Sequence, residues 1–183
     1  MLSNRAQTGV TLVELLVTIA VLTILVMMAA PSFAELSQRS ALRGAADNIV
    51  AAVTLAKEEA IKRDQMVRID FKPVGAGFCV GAKIVANEGD AGCDCSAAAC
   101  PVVSYPGAVG DLHRVSLTGT PLFGTDSGFV IDPKTGTLID FTDGGAIVLG
   151  TSNGTAATVR VNAMGRASVC TPGSKGLSGV RAC

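Results

Sequence analysis

The chain has 183 residues with 15 basic and 15 acidic side chains, 49% hydrophobic residues, one His, one Tyr and no Trp. A formal net charge of zero and the lack of a polybasic tract argue against a global nucleic-acid or anionic-lipid surface. The length allows one membrane segment plus one domain of about 120 residues, whose core has to rest on Val, Leu, Ile and Ala.

Residues 1–9 form a short polar leader with a single charge, Arg5. Residues 10–30 are mostly apolar, and Glu14 is their only charged residue. As a helix rising about 1.5 Å per residue, this run reaches roughly 31 Å, close to the ~30 Å hydrocarbon core of a bilayer. A carboxylate in such a segment is costly without a partner, which marks Glu14 as functional by default. A cleaved secretory signal fits less well, because its apolar region is usually shorter and acid-free, and Ala29-Ala30 is followed directly by Pro31. A plain membrane anchor gives no reason for Glu14. Arg5 places the leader on the cytoplasmic side, so the rest of the chain is expected to face the periplasm.

The run Gly9-Val10-Thr11-Leu12-Val13-Glu14-Leu15-Leu16 resembles the prepilin signature of type IV pilins and type II secretion pseudopilins. That resemblance implies cleavage by a prepilin peptidase between Gly9 and Val10 and N-methylation of the new terminus at Val10. It also implies an assembly role for Glu14, paired with the free amino terminus of a neighbouring subunit in the fibre. Such a pairing supplies what a carboxylate in apolar surroundings needs. The first mature residue of this family is usually Phe or Met, and here it is Val10.

Residues 31–63 continue the helix as an amphipathic segment. Pro31 is compatible with a kink and does not require the helix to end. Leu42, Ala46, Ile49, Val53, Ala56 and Ala60 recur at spacings of four and three, which puts them on one face. Arg43, Asp47, Asn48, Lys57 and Glu58 face away. The pairs Glu35/Arg39, Arg43/Asp47, Glu58/Lys62 and Glu59/Arg63 stand four apart and add helix support. The expected helix runs from about Thr11 to about Arg63, with its Ala-rich stripe allowing close approach of a sheet.

Residues 64–183 change period. Val67, Ile69 and Phe71 alternate with Arg68, Asp70 and Lys72, a strand pattern. Further strands are expected at 78–85, 112–117, 128–131, 137–141, 146–149 and 157–161. Residues 86–110, rich in Gly, Ala, Cys and Pro, read as an irregular loop. Asp132-Pro133-Lys134-Thr135-Gly136 and Ser152-Asn153-Gly154 read as turns, and Gly144-Gly145 as a break. The fold class is α+β: a long N-terminal helix packed on a mostly antiparallel, pilin-like β domain.

Within the pilin superfamily, three local runs resemble the GspH/FimT group of minor pilins. They are Ala56-Lys57-Glu58-Glu59-Ala60-Ile61-Lys62-Arg63, Phe129-Val130-Ile131-Asp132-Pro133-Lys134-Thr135-Gly136, and Val161-Asn162-Ala163-Met164-Gly165-Arg166. Residues 75–125 match no pattern of that group. Some members that serve DNA uptake are thought to bind DNA through a C-terminal Gly-Arg-x-Arg motif. Here the run is Gly165-Arg166-Ala167-Ser168, so the second Arg is missing. After Asp143 the chain has no acids and four basics, Arg160, Arg166, Lys175 and Arg181. Those four are candidates for contact with DNA phosphates; a solvated domain edge is the plainer reading.

Six cysteines, Cys79, Cys93, Cys95, Cys100, Cys170 and Cys183, are disulfide candidates in a periplasm-facing domain. Six cysteines allow 15 full pairings, so spacing leaves the connectivity open. The pilin resemblance implies a C-terminal loop closed by Cys170 and Cys183. A metal site at Cys93, Cys95 and Cys100 lacks a nearby His and a zinc-type spacing. His113 reads as a strand-surface residue. Asp132, Asp140 and Asp143 lie near turns, where Asp is common for backbone reasons. Gly75-Ala76-Gly77 lacks the Lys and Ser/Thr of a phosphate loop. No nucleophile, base and orienter set emerges, so neither catalysis nor a cofactor is expected.

The resulting expectation is a minor pilin in the assembly or tip of a type IV pilus. The alternatives are pseudopilin H of a type II secretion system and a DNA-binding minor pilin. Six cysteines and the Gly-Arg strand end look more like the pilus branch. The expected partners are the prepilin peptidase, other pilins or pseudopilins and the inner membrane, crossed once, with DNA as a further candidate.

Overall fold

The computed structural model describes residues 11–97, 100–106, 114–119, 121, 123, 127–140, 144–173 and 176–183. Its first element is a single helix, α1, over Leu12–Arg63. Thr11 caps it: the hydroxyl oxygen accepts the Glu14 N–H at 3.2 Å. At the other end Gln65 N–H donates to the Ala60 carbonyl and Asp64 N–H to that of Ile61. With Asp64 in the left-handed region at φ 52°, this is a Schellman ending. Lys62 and Arg63 in the last turn complement the negative end of the helix dipole.

The chain divides into two compact units, Met1–Ser37 and Gln38–Cys183. In the second, the helix stripe forecast from spacing is buried in full: Leu42, Ala46, Ile49, Val53, Ala56 and Ala60. Ala45 and Ala52 widen it. Lys57 does not face away. It is half-buried on the flank, where its ammonium donates to the Met164 carbonyl at 3.0 Å.

Eight strands follow: β1 (Val67–Val74), β2 (Gly77–Ile84), β3 (Val103–Tyr105), β4 (Ser116–Leu117), β5 (Gly128–Ile131), β6 (Gly145–Gly150), β7 (Ala156–Val161) and β8 (Ala167–Cys170). They form two four-stranded sheets, sheet A in the order β3-β2-β1-β5 and sheet B in the order β4-β6-β7-β8. Every strand pair is antiparallel. The α+β layout is therefore present, with one long helix and mostly short strands. A contiguous core joins the helix stripe to Val67, Ile69 and Phe71 of sheet A and to Ile147, Leu149 and Val159 of sheet B. Phe71, Phe123 and Phe129 pack on one another with ring centroids 4.8–6.3 Å apart. Each such buried side chain contributes roughly 1.5–3 kcal/mol.

Four expectations need correction. β3 lies inside the segment expected to be irregular; three residues are too few to show a period. Only Ser116–Leu117 of the strand expected at 112–117 is observed, and residues 112 and 113 lie outside the described ones. The strand expected at 137–141 is not formed over 137–140. Leu138 makes an isolated bridge to Ile131, but its N–H donates to Ala163, in the turn after β7, while Ile139 N–H donates to Val130. The segment is thus divided between partners in two places, and the Asp132 carboxylate tightens the turn ahead of it by accepting the Lys134 N–H. Finally, Asp70, placed by alternation on the wet face of β1, is buried at 4% exposure.

Candidate functional site

The first candidate site is the apolar half of α1. Every residue from 11 to 28 is exposed, including Leu12, Leu16, Ile19 and Leu25. An 18-residue window of this helix reaches a mean hydropathy of 2.6, which is long and apolar enough to cross a membrane. An apolar surface exposed on all sides has to be covered by lipid or by other helices. Glu14 stands third in the helix, one turn after the Thr11 cap. There a carboxylate also favours the positive end of the helix dipole. Thr11 was missed as a functional residue in the sequence, although Thr-x-x-Glu is itself a helix-start pattern. Gly9 and Val10 lie outside the described residues.

The second candidate site is on sheet B. Asn162 N–H donates to the Arg166 carbonyl, Arg166 N–H donates to the Asn162 side chain, and Gly165 N–H donates to the Asn162 carbonyl. This closes a tight turn between β7 and β8. Gly165 takes φ 67° in it, a conformation that favours glycine. The turn sets Arg166 beside Arg160, and both line a cleft of about 520 Å³ together with Gly144, Ala146 and Ser168. Arg181 lines a different cavity of about 270 Å³ with Arg43 and Asp47. Lys175, His113 and Asp143 lie outside the described residues. Of the four expected cations, the structure brings two together.

The cysteines form three disulfides, Cys79–Cys95, Cys93–Cys100 and Cys170–Cys183. No cysteine among them is left as a free thiol. The first two pin residues 85–97 and 100–102 across the outer face of sheet A. Cys95 and Cys100 lie against Gly81, and a side-chain carbon on Gly92 would meet the Asp70 carboxylate. Two acids in this loop, Asp90 and Asp94, are favoured in their ionised form. Backbone N–H groups of Asn87 and Ala86 hold Asp90 below the usual carboxylate range, and the Ser96 hydroxyl does so for Asp94. Asp132 spends its oxygens on its own turn, accepting from Lys134 N–H and the Thr135 hydroxyl. On α1, a hydrogen bond from Arg63 lowers Glu59.

Residues 45–165 match the family described as type II transport protein GspH. The chain belongs to the GspH family. Residues 4–30 also match the prokaryotic N-terminal methylation motif, which takes in the apolar half of α1 and Glu14. Comparison with curated proteins and with solved structures finds no match. As a GspH-family, prepilin-like protein the chain has a minor pilin or pseudopilin role in a type IV pilus or a type II secretion system. Proteins of this kind are processed by a prepilin peptidase and associate with other pilins or pseudopilins, and the N-terminal apolar helix is suited to membrane anchoring. The GspH match ends at Gly165, so Arg166, β8 and the Cys170–Cys183 loop lie beyond it.

Proposed function

We propose that this chain is a minor pilin of a type IV pilus, cut between Gly9 and Val10, methylated at Val10 and held in the fibre through Glu14. It acts by assembly and contact, not by turnover. The apolar half of α1 carries this reading, being exposed on every side with one carboxylate near its start. In the inner membrane, lipid covers that surface while the β domain stands in the periplasm. In the fibre, neighbouring helices cover it, and the amine released by cleavage partners Glu14. Three disulfides suit an oxidising compartment.

Glu14→Ala tests the role. The variant is expected to insert into the membrane as well as the parent, since removing a charge favours insertion, yet to give severalfold fewer fibres. Normal fibre numbers with the Ala variant would refute the assembly contact.

The second reading is a type II secretion pseudopilin, favoured by the description of the matching family. Deleting the gene separates the two. Loss of surface pili with normal export supports the pilus reading, and retention of secreted enzymes inside the cell supports the other. A DNA-receptor role would use Arg160, Arg166, Lys175 and Arg181. It gains from the cleft shared by Arg160 and Arg166 and loses from the separate setting of Arg181. A salt-sensitive gel shift abolished by Arg166 and Arg181 substitution is its test.

A further inference from the structure

The cleft on sheet B has a chemistry that fibre assembly through the helix does not use. Ala146, Arg160 and Ser168 form one cross-strand row over β6, β7 and β8. Residues two apart on a strand share a face, so Arg166 projects on the same side as Ser168. Arg160 and Arg166 are then diagonal neighbours, a placement that sets Cα atoms about 7–8 Å apart. Among the described residues neither guanidinium has an ion-pair or hydrogen-bond partner. The sequence supplies no acid after Asp143, and Gly144, Gly145 and Ala146 keep one wall low. Two unpaired guanidiniums therefore stand in one concavity about 520 Å³ in volume.

Their spacing selects a ligand. An extended polypeptide advances about 3.3 Å per residue and puts alternate side chains on one face, so acids two residues apart stand about 6.6 Å from each other. We propose that this cleft docks an extended acidic segment of a partner polypeptide, whose carboxylates at alternate positions pair with Arg160 and Arg166. Guanidinium and carboxylate meet as bidentate, charge-assisted pairs. The low Gly-Ala wall lets the segment's backbone come close, and the Ser168 hydroxyl adds a polar contact between the two cations. Nucleic acid suits the cleft less. Single strands are held by aromatic stacking platforms, and among the described residues no aromatic side chain lines it. A duplex is gripped through many phosphates, and among the described residues the cleft presents two cations. The inference holds whichever fibre the chain joins.

The test is fluorescence anisotropy of the full chain in uncharged detergent at low ionic strength. The probes are a labelled peptide alternating Glu and Ser, its Gln-Ser counterpart, and labelled single- and double-stranded DNA. The acidic peptide is expected to bind, to weaken about tenfold with either Arg160→Gln or Arg166→Gln, and to be little changed by Arg181→Gln. Both arginines are exposed, and an unchanged thermal midpoint shows that each variant is folded. Failure of the acidic peptide to bind, binding equal to that of the Gln-Ser peptide, or binding indifferent to both substitutions overturns the proposal. Displacement of the peptide by DNA that binds more tightly overturns it in favour of a nucleic-acid site.

Discussion

At the scale of single residues, Asp70 shows how a covering loop changes the chemistry of a strand. Its partner on β1 is Arg68, whose Nε donates to Asp70 Oδ1 at 3.1 Å, with side-chain exposures of 12% and 6%. Alternation assigns both to the outer face correctly. It cannot foresee that residues 85–97 and 100–102 are tied down over that face, because the tie is covalent and distant in sequence. The burial removes water from the carboxylate, and its second oxygen has no hydrogen-bond partner. A buried pair of this kind is hard to break from one side. Arg68→Met is therefore expected to destabilise the chain by roughly 3 kcal/mol, because it leaves the buried Asp70 carboxyl group without its ion-pair partner. The double variant Arg68→Met/Asp70→Leu is expected to recover most of that loss. Urea unfolding of the two variants in uncharged detergent checks the pair; a double variant no better than the single one rules out the ion-pair account.

At the scale of elements, α1 was the most legible part of the chain. Its buried stripe from Leu42 to Ala60 follows from a spacing of three and four residues, and its C-terminal stop is local chemistry at Asp64 and Gln65. β1 and β7 were equally readable, because Val67, Ile69 and Phe71, and Val159 and Val161, alternate over enough residues to set a period. β3 escaped notice at three residues, and the segment around Leu138 has the composition of a strand but divides its hydrogen bonds between two partners. The Arg160–Arg166 cleft was half legible. The positive bias was plain, but the grouping depends on register between β7 and β8, which no composition reveals. Alanines at positions 45, 46, 52, 56 and 60 let the sheets approach α1 closely, so bulk there is costly. Ala56→Leu is expected to cost about 1–3 kcal/mol through overpacking, whereas Ala51→Leu, on the exposed side, is expected to change stability by less than about 0.5 kcal/mol. Equal denaturation midpoints for the two variants would mean that the stripe is not tightly packed.

At the scale of the whole molecule, the three disulfides serve the two sheets differently. Two of them hold a loop over the outer face of sheet A. The third, Cys170–Cys183, closes the chain's last segment onto the end of β8. There Thr171 N–H donates to Arg181, Cys183 N–H donates to Thr171, and Leu177 is buried. Thr158, the register partner of Cys170, is buried at this end of sheet B, while Arg160, two residues along β7, is exposed. The strap itself runs past the edge strand β8 toward α1, where Arg43 donates to the Ser178 carbonyl and Leu177 and Val180 share a cavity with Ala46 and Val169, and it leaves both arginines of the cleft exposed. Cross-linking residues 13 apart in sequence restricts the unfolded chain by roughly 3 kcal/mol. The double variant Cys170→Ser/Cys183→Ser is expected to lose about that much, with membrane insertion unchanged, since the apolar half of α1 carries insertion. Its buried Leu177 and backbone bonds to Thr171 would then be held only by packing, and amide exchange at Thr171 and Cys183 is expected to rise well above that of β7. Full protection of those two amides in the double variant, together with an unchanged unfolding midpoint, would show that packing alone secures the strap and that the disulfide adds nothing to it.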